Sequence, residues 1–210
     1  MSTYKIINDN IFISGDKFFW FSKRFFDLFI SILLIPVLLI LTLLIIFLNL
    51  FYNKGPTFYV QKRMGKDCKP FYALKFRTMV SSEIINRKHN DPLELERITR
   101  LGHFLRKCRL DELPQIINVV YGEMSLIGPR PDYYEHALVF LDTIPGYRIR
   151  HAIRPGISGL SQIRLGYAQG VDATKKKSKI DVYYIKNVNF YLDFKIFIGT
   201  IMTVLKGIGI

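Results

Sequence analysis

Acidic residues are scarce in this sequence of 210: 17 Asp and Glu stand against 30 Lys and Arg, a formal charge of +13. Charge of either sign is missing altogether from Leu28 to Asn53, 26 residues dominated by Leu, Ile and Phe. Cysteine is nearly absent too. Cys68 and Cys108 cannot make a disulfide framework and nothing near them has zinc spacing, so both read as reduced, structural thiols on the cytosolic side. No G-x-x-x-x-G-K-[ST] loop and no G-x-G-x-x-G fingerprint occurs, which leaves a P-loop or dinucleotide-binding fold without support. His89, His103, His136 and His151 show no ligand spacing and read as surface or capping residues. No Ser/Gly linker, internal repeat or low-complexity stretch divides the polar part of the chain, apart from the short run Lys175, Lys176, Lys177 and Lys179. That run reads as a solvated, membrane-facing patch.

What is present pulls in two directions. Half of the residues are hydrophobic and the mean hydropathy is +0.18, despite the charge. A basic protein that binds only nucleic acid has no need of so much apolar surface, and an ordinary soluble domain of this size rarely has positive hydropathy. The pairing predicts a membrane-associated protein facing an anionic partner, with no nucleic acid.

The uncharged run is long enough to cross a bilayer: at about 1.5 Å per residue its length reaches ~39 Å, against a hydrocarbon core of about 30 Å. Asp9, Asp16 and Asp27 precede it and no small-residue cleavage site follows, which argues against a secretory signal. Pro36 falls inside it and predicts a kink. Basic residues flank both ends, Lys17, Lys23 and Arg24 before, Lys54, Lys62, Arg63 and Lys66 after. Cations on both sides suit a helix that dips into one leaflet and returns at Pro36. A tilted, kinked transmembrane helix is the alternative.

Residues 54–210 carry 26 basic and 14 acidic side chains, so nearly all the net charge lies there. Phe58-Tyr59-Val60 and Phe71-Tyr72-Ala73-Leu74 read as short strands. Residues 91–107 have helical character, 111–121 an amphipathic helix closed by Gly122, and 133–144 a helix stopped by Pro145-Gly146. Phe190 to Leu205, with only Asp193 and Lys195 charged, reads as a helix in the membrane interface or one buried in a core.

Three clusters carry chemistry. Asp111 and Glu112 fall at a helix start, since Pro114 is tolerated only in a first turn, and three cations, Arg106, Lys107 and Arg109, stand just upstream. An acidic N-cap is the plain reading. Gly128-Pro129-Arg130-Pro131 holds one guanidinium between two prolines, and Arg154-Pro155-Gly156-Ile157-Ser158-Gly159 repeats the design. Lys75-Phe76-Arg77 adds two cations on one side of an extended segment. Together they predict a cationic pocket for a phosphate-rich ligand, with two carboxylates able to hold a divalent metal or attack phosphorus.

Read in series, these segments resemble the bacterial sugar transferase family, the small monotopic phosphoglycosyl transferases. The resemblance runs from about Lys23 to Ile210. It joins Lys23-Arg24-Phe25-Phe26-Asp27, Gln61-Lys62-Arg63-Met64-Gly65, Lys75-Phe76-Arg77-Thr78-Met79 and Leu110-Asp111-Glu112-Leu113-Pro114-Gln115. Gly122 through Pro131, Arg154 through Gly159 and Asp181-Val182-Tyr183-Tyr184-Ile185-Lys186-Asn187 complete it.

The resemblance implies transfer of a phospho-sugar from a UDP-sugar to undecaprenyl phosphate with Mg2+, releasing UMP. Asp111 maps to a nucleophile that forms a phosphosugar-aspartyl intermediate and to a metal contact, Glu112 to its assistant. Lys75, Arg77, Arg106, Arg130, Arg154 and Asp181 are the candidate substrate-binding residues, Arg130 for the nucleotide phosphate and Asp181 as a later acid of the site. It further implies an α+β, mainly α, monotopic membrane protein on the cytoplasmic face of the bacterial inner membrane. The re-entrant helix would be kinked at Pro36, with interfacial helices below a compact catalytic domain. Residues 1–22 are an N-terminal extension matching nothing assignable, 23–53 the membrane helix and 54–210 the catalytic domain. Two departures stand out: Ile35 precedes Pro36 where small members often have Ser, and Arg164-Leu165-Gly166-Tyr167 stands where an Asn-Gly-Arg sequence is usual. Association with further copies is left open. The competing function is a catalytically silent, membrane-anchored scaffold of a glycan assembly complex. The retained Asp111-Glu112 pair argues against it.

Overall fold

The computed structural model describes residues 13–80, 94–166 and 170–207. Those residues form a mainly helical α+β chain with seven α-helices, short 3-10 turns and two small sheets.

Helix α1 (Lys17–Tyr52) opens where the Asp16 carboxylate accepts the Phe19 N–H at 2.8 Å, and it runs through Pro36 without a break. Its inward stripe is Phe19, Lys23, Asp27, Ser31, Leu38, Ile45 and Asn49, four or seven residues apart and therefore on one face. Its remaining faces are apolar and exposed. The most apolar 18-residue stretch has a mean hydropathy of 3.2 and only 17% of it is buried, which a soluble core helix would not tolerate. The helix marks the chain as membrane-associated.

The charged opening of α1 is a docking device. Lys23 Nζ donates to Asp193 Oδ2 at 2.6 Å, Arg24 donates to the carbonyls of Val119 at 2.8 Å and Val120 at 3.2 Å, and the Leu126 N–H donates to Asp27 Oδ1 at 3.0 Å. The four partners come from three different parts of the chain, so the rest of the fold is arranged along this helix.

Strands β1 (Phe58–Met64) and β2 (Pro70–Phe76) form an antiparallel hairpin with Phe58 opposite Phe76 and Met64 opposite Pro70. Both strands run beyond the apolar residues that signal them, because Lys62 and Arg63 pair with Tyr72 and Phe71. The helical pattern expected over 91–107 resolves later than its apolar spacing suggests; residues 91–93 lie outside the described residues. A 3-10 turn at Leu95–Arg97 is followed by extended Ile98, which bridges to Met79, and α2 (Arg100–Lys107) starts only after Thr99, whose hydroxyl accepts the Gly102 N–H at 3.0 Å. A Cβ on Gly102 would stand 2.0 Å from the Thr78 carbonyl oxygen, so this helix sits directly on the chain leaving β2.

The helix expected over 111–121 is divided. Arg109 turns left-handed, Leu110–Glu112 make a 3-10 turn, and α3 (Gln115–Val120) follows Pro114, which brings no N–H to the turn before it. Strands β3 (Ser125–Ile127) and β4 (Gly156–Ser158) pair in parallel, and α4 (Tyr134–Thr143), α5 (Leu160–Leu165), α6 (Gly170–Asn187) and α7 (Phe190–Leu205) complete the fold. Leu38 and Ile45 of α1 pack with Phe76, Leu105 and Ile116, while Phe19 packs with Ile127, Leu160, Tyr184 and Ile196. Of α7 only Ile196 is buried; Phe190, Tyr191, Phe194, Met202 and Leu205 are exposed, which removes the alternative of a core helix.

Candidate active site

The two carboxylates occupy the 3-10 turn between α2 and α3, and both face inward: Asp111 is 9% exposed and Glu112 6%. Their surroundings differ completely. Lys75 of β2 donates to Glu112 Oε1 at 2.7 Å, and the Arg130 guanidinium reaches both oxygens, 2.9 Å from Nη1 to Oε2 and a shorter contact from Nη2 to Oε1. Burial opposes the Glu112 charge, yet Arg130 and Lys75 hold its carboxyl well below the usual range. No described residue bonds to the Asp111 carboxylate. Burial first, and the Glu112 charge second, push it up to about 6.

Arg130 is fixed from behind by a buried ionic cluster. Arg150, 1% exposed, donates from Nη2 to the Arg130 carbonyl at 2.6 Å and to Asp181 Oδ2 at 2.7 Å; its Nε reaches the same Asp181 oxygen at 3.0 Å. Its Nη1 pairs with Asp132, which also accepts from Tyr147 at 2.6 Å and from Lys177. Arg63 of β1 donates to the Pro131 carbonyl at 3.0 Å, and the Met64 N–H to the Asp132 carbonyl at 3.1 Å. The segment from Arg130 to Asp132 is thus clamped by β1, α6 and the turn Tyr147–His151. Burial and then Arg150 push the neighbouring His151 down to about 3, leaving it neutral.

Of the residues singled out from sequence, Lys75, Arg130, Asp111 and Glu112 meet directly. Arg106 lies alongside, its Nε donating to Thr78 Oγ1 at 2.8 Å. Asp181 is joined to Arg130 only through Arg150. Arg77 turns to the end of α1, where it bonds the Asn53 carbonyl, and Arg154 is exposed, its Nε donating to the Gly122 carbonyl at 2.8 Å; neither touches the dyad. Pro36 lies within α1, away from these groups.

Two expectations are corrected. His151 is buried, 4% exposed, so it is not a surface histidine, and Lys177 turns inward to Asp132 while Lys175, Lys176 and Lys179 stay exposed. Helical spacing is the reason: the face of α6 that carries Thr174, Ser178 and Asp181 also takes Lys177 inward. His89 and Tyr167 lie outside the described residues, and Arg164 stands over the Tyr183 ring at 5.7 Å. Arg150, central to the clamp, went unnoticed in the sequence because Tyr147-Arg148-Ile149-Arg150-His151 has no spacing that separates a buried arginine from a solvated one.

The described residues hold no group of three or more metal-ligating side chains. One unpartnered carboxylate still suits Mg2+, which commonly keeps its waters and is bound by one or two carboxylates together with substrate phosphates.

A paired and an unpaired carboxylate between fixed cations define a site for phosphate chemistry. The chain belongs to the bacterial sugar transferase family, which it matches over residues 18–207. It is 41% identical over 192 residues to a UDP-N-acetylgalactosamine-undecaprenyl-phosphate N-acetylgalactosaminephosphotransferase of Aeromonas hydrophila, covering 90% of this chain and 45% of that protein. It is 40% identical over 161 residues to a UDP-glucose:undecaprenyl-phosphate glucose-1-phosphate transferase of Klebsiella pneumoniae, covering 74% and 33%. An exopolysaccharide production protein PSS of Rhizobium leguminosarum bv. phaseoli is 37% identical over 196 residues, covering 86% and 94%. The chain therefore spans less than half of the first two proteins and nearly all of the third.

Proposed function

We propose that this chain transfers a phospho-sugar from a UDP-sugar to undecaprenyl phosphate, giving undecaprenyl-diphospho-sugar and UMP, as a membrane step of bacterial surface glycan synthesis. The observation that carries the reading is the asymmetry of the dyad. Glu112 is ionised and held by two cations, so both of its oxygens are engaged. Asp111 is buried, basic for a carboxylate and receives no hydrogen bond from the described residues, which suits a carboxylate nucleophile.

In the first displacement an Asp111 oxygen bonds to the β-phosphorus and the bond to the bridging oxygen breaks, so UMP leaves and the phospho-sugar stays on Asp111. In the second, a phosphate oxygen of undecaprenyl phosphate attacks the same phosphorus and the Asp111 carboxylate departs. One site then serves a soluble donor and a lipid acceptor in turn. Glu112 holds Lys75 and Arg130 beside the reacting phosphate, where fixed cations stabilise the charge that accumulates. Mg2+, held by Asp111 and the donor phosphates, would supply further neutralisation of the leaving UMP.

The monotopic reading of α1 is supported by its buried stripe. Phe19 to Asn49 spans ~45 Å at about 1.5 Å per residue, more than the ~30 Å hydrocarbon core, and the polar domain packs along all of it. A helix crossing from one face to the other would carry that domain into the lipid. Dipping into the cytoplasmic leaflet of the inner membrane and returning through a kink at Pro36, it would present its exposed rows and those of α7 to the acyl chains.

The test uses membranes bearing the full chain, a panel of labelled UDP-sugars, undecaprenyl phosphate and Mg2+. UMP release with at least one donor, and label retained on the protein when acceptor is withheld, are expected. UMP release that persists in Asp111→Asn would overturn the nucleophile, and no release with any donor would overturn the transfer.

A further inference from the structure

Lys75 and Arg130 are engaged by Glu112, and Arg106 by Thr78. Arg109 is not engaged in this way. Its Nε is buried without a hydrogen-bond partner, and none of the described residues pairs with its guanidinium. Its backbone is left-handed, φ 56° and ψ 18°, immediately ahead of the turn that carries the dyad. The Arg109 N–H donates to the Arg106 carbonyl at 3.0 Å and its own carbonyl accepts the Glu112 N–H at 3.2 Å, so the strained residue is the pivot that swings Asp111 and Glu112 inward. Glycine or asparagine takes this conformation with least strain, so the backbone gives no reason for an arginine. Strained residues held by their surroundings cluster at functional sites.

The charge pattern gives the missing reason. The charged groups that act on the Arg109 guanidinium are Arg130, Glu112 and Asp111, so it belongs to the same site as the dyad. Two guanidiniums brought into one site repel unless an anion lies between them, and phosphate oxygens match their fork geometry.

We propose that Arg109 is a donor-binding residue whose guanidinium takes non-bridging oxygens of the sugar nucleotide's diphosphate, sharing that group with Arg130. The proposal rests on the transfer reading above and names a residue of its donor subsite.

The full chain in detergent is compared with Arg109→Gly and Arg109→Lys in three measurements: thermal unfolding, calorimetric binding of UDP in the presence of Mg2+, and UMP release with varied donor and acceptor. Arg109→Gly relieves the left-handed strain and removes the guanidinium together. It is expected to unfold at the same or a higher temperature, to weaken UDP binding and raise the donor KM at least tenfold, and to leave the acceptor KM within twofold. Arg109→Lys should recover part of the lost affinity. A wild-type chain that turns over while Arg109→Gly binds UDP unchanged overturns this proposal alone, as does an affinity loss matched by a fall in unfolding temperature. A wild-type chain that neither binds UDP nor releases UMP overturns the transfer reading and this proposal with it.

Discussion

Arg130 donates to both carboxylate oxygens of Glu112, while Asp111, the preceding residue, receives no donor from the described residues. Two carboxylates one peptide bond apart are thereby separated into an ionised support and a basic, open group. The separation depends on the clamp behind Arg130, because a guanidinium free to move would be shared by both acids. The environments, not the residue types, set the roles.

Replacing each acid should therefore have opposite effects on the fold. Asp111→Asn removes a buried charge that no described residue hydrogen-bonds, and it is expected to abolish UMP release while the protein stays as stable or becomes more so. Glu112→Ala leaves Lys75 and Arg130 facing each other uncompensated, and breaking such a buried pair costs about 3–5 kcal/mol. Denaturant midpoints in detergent, measured beside activity, distinguish the two.

The first displacement needs ionised Asp111, whose carboxyl is raised to about 6. The donor kcat/KM should fall about tenfold per pH unit below that value. For stability the sign reverses: a folded-state value above the unfolded 3.8 means the folded chain binds the proton more tightly, so Asp111 destabilises at neutral pH and the penalty disappears as pH falls through about 6. Asp111→Asn should be more stable at pH 7 by at most ~3 kcal/mol, and the difference should close below about pH 4. Glu112, whose folded value is lowered, contributes in the opposite sense, stabilising above its ordinary 4.5 and losing that contribution on acidification.

Arg150→Met leaves Asp132 and Asp181 with buried, unmatched charge, so a loss of about 3–5 kcal/mol is expected. Asp181→Asn keeps shape and an acceptor; it should cost about 1–3 kcal/mol and raise the donor KM through a loosened Arg130. Unfolding curves and donor titrations of both variants check this.

At Gly156 a Cβ would stand 2.1 Å from the Gly128 nitrogen, in backbone that cannot swing away. Gly156→Ala should open the pairing in which the Gly128 N–H donates to the Ser158 carbonyl at 2.8 Å. The expected loss is about 1–3 kcal/mol, read from the unfolding temperature.

With Cys68 and Cys108 replaced, cysteines placed at Ser14 and Thr57 should escape an impermeant thiol reagent in intact cells and react in inverted vesicles. Labelling of Ser14→Cys from outside would restore the spanning helix.

Hydrophobic runs and turn residues made most elements legible: α7 from Phe190 to Leu205 and the stop of α4 before Pro145 follow from composition alone. The dyad and Arg130 were legible because Pro114, Pro129 and Pro131 fix the chain around them, and Lys75 because it lies on an extended segment beside Arg77. The division of 111–121 was not, since it depends on the left-handed turn at Arg109, where no glycine signals it. Nor was the clamp, because Arg150, Asp132 and Lys177 come together only through tertiary packing. Arg77 and Arg154 sit in motifs as suggestive as Arg130's, yet bind backbone carbonyls instead; sequence spacing records which cations are rigidly placed, not what they face.

Arg24 holds the carbonyls at one end of α3, and the dyad precedes the other end. The end nearer the dyad also bears on α1, Ile116 packing against Leu38 and Ile45, so α3 lies along the rod and both of its ends are fixed to it. On the function proposed above, the height of Asp111 over the acyl chains would then be set by how deep α1 floats. A bilayer that draws α1 deeper would lower the reaction plane by the same amount, toward a tethered phosphate and away from a dissolved one.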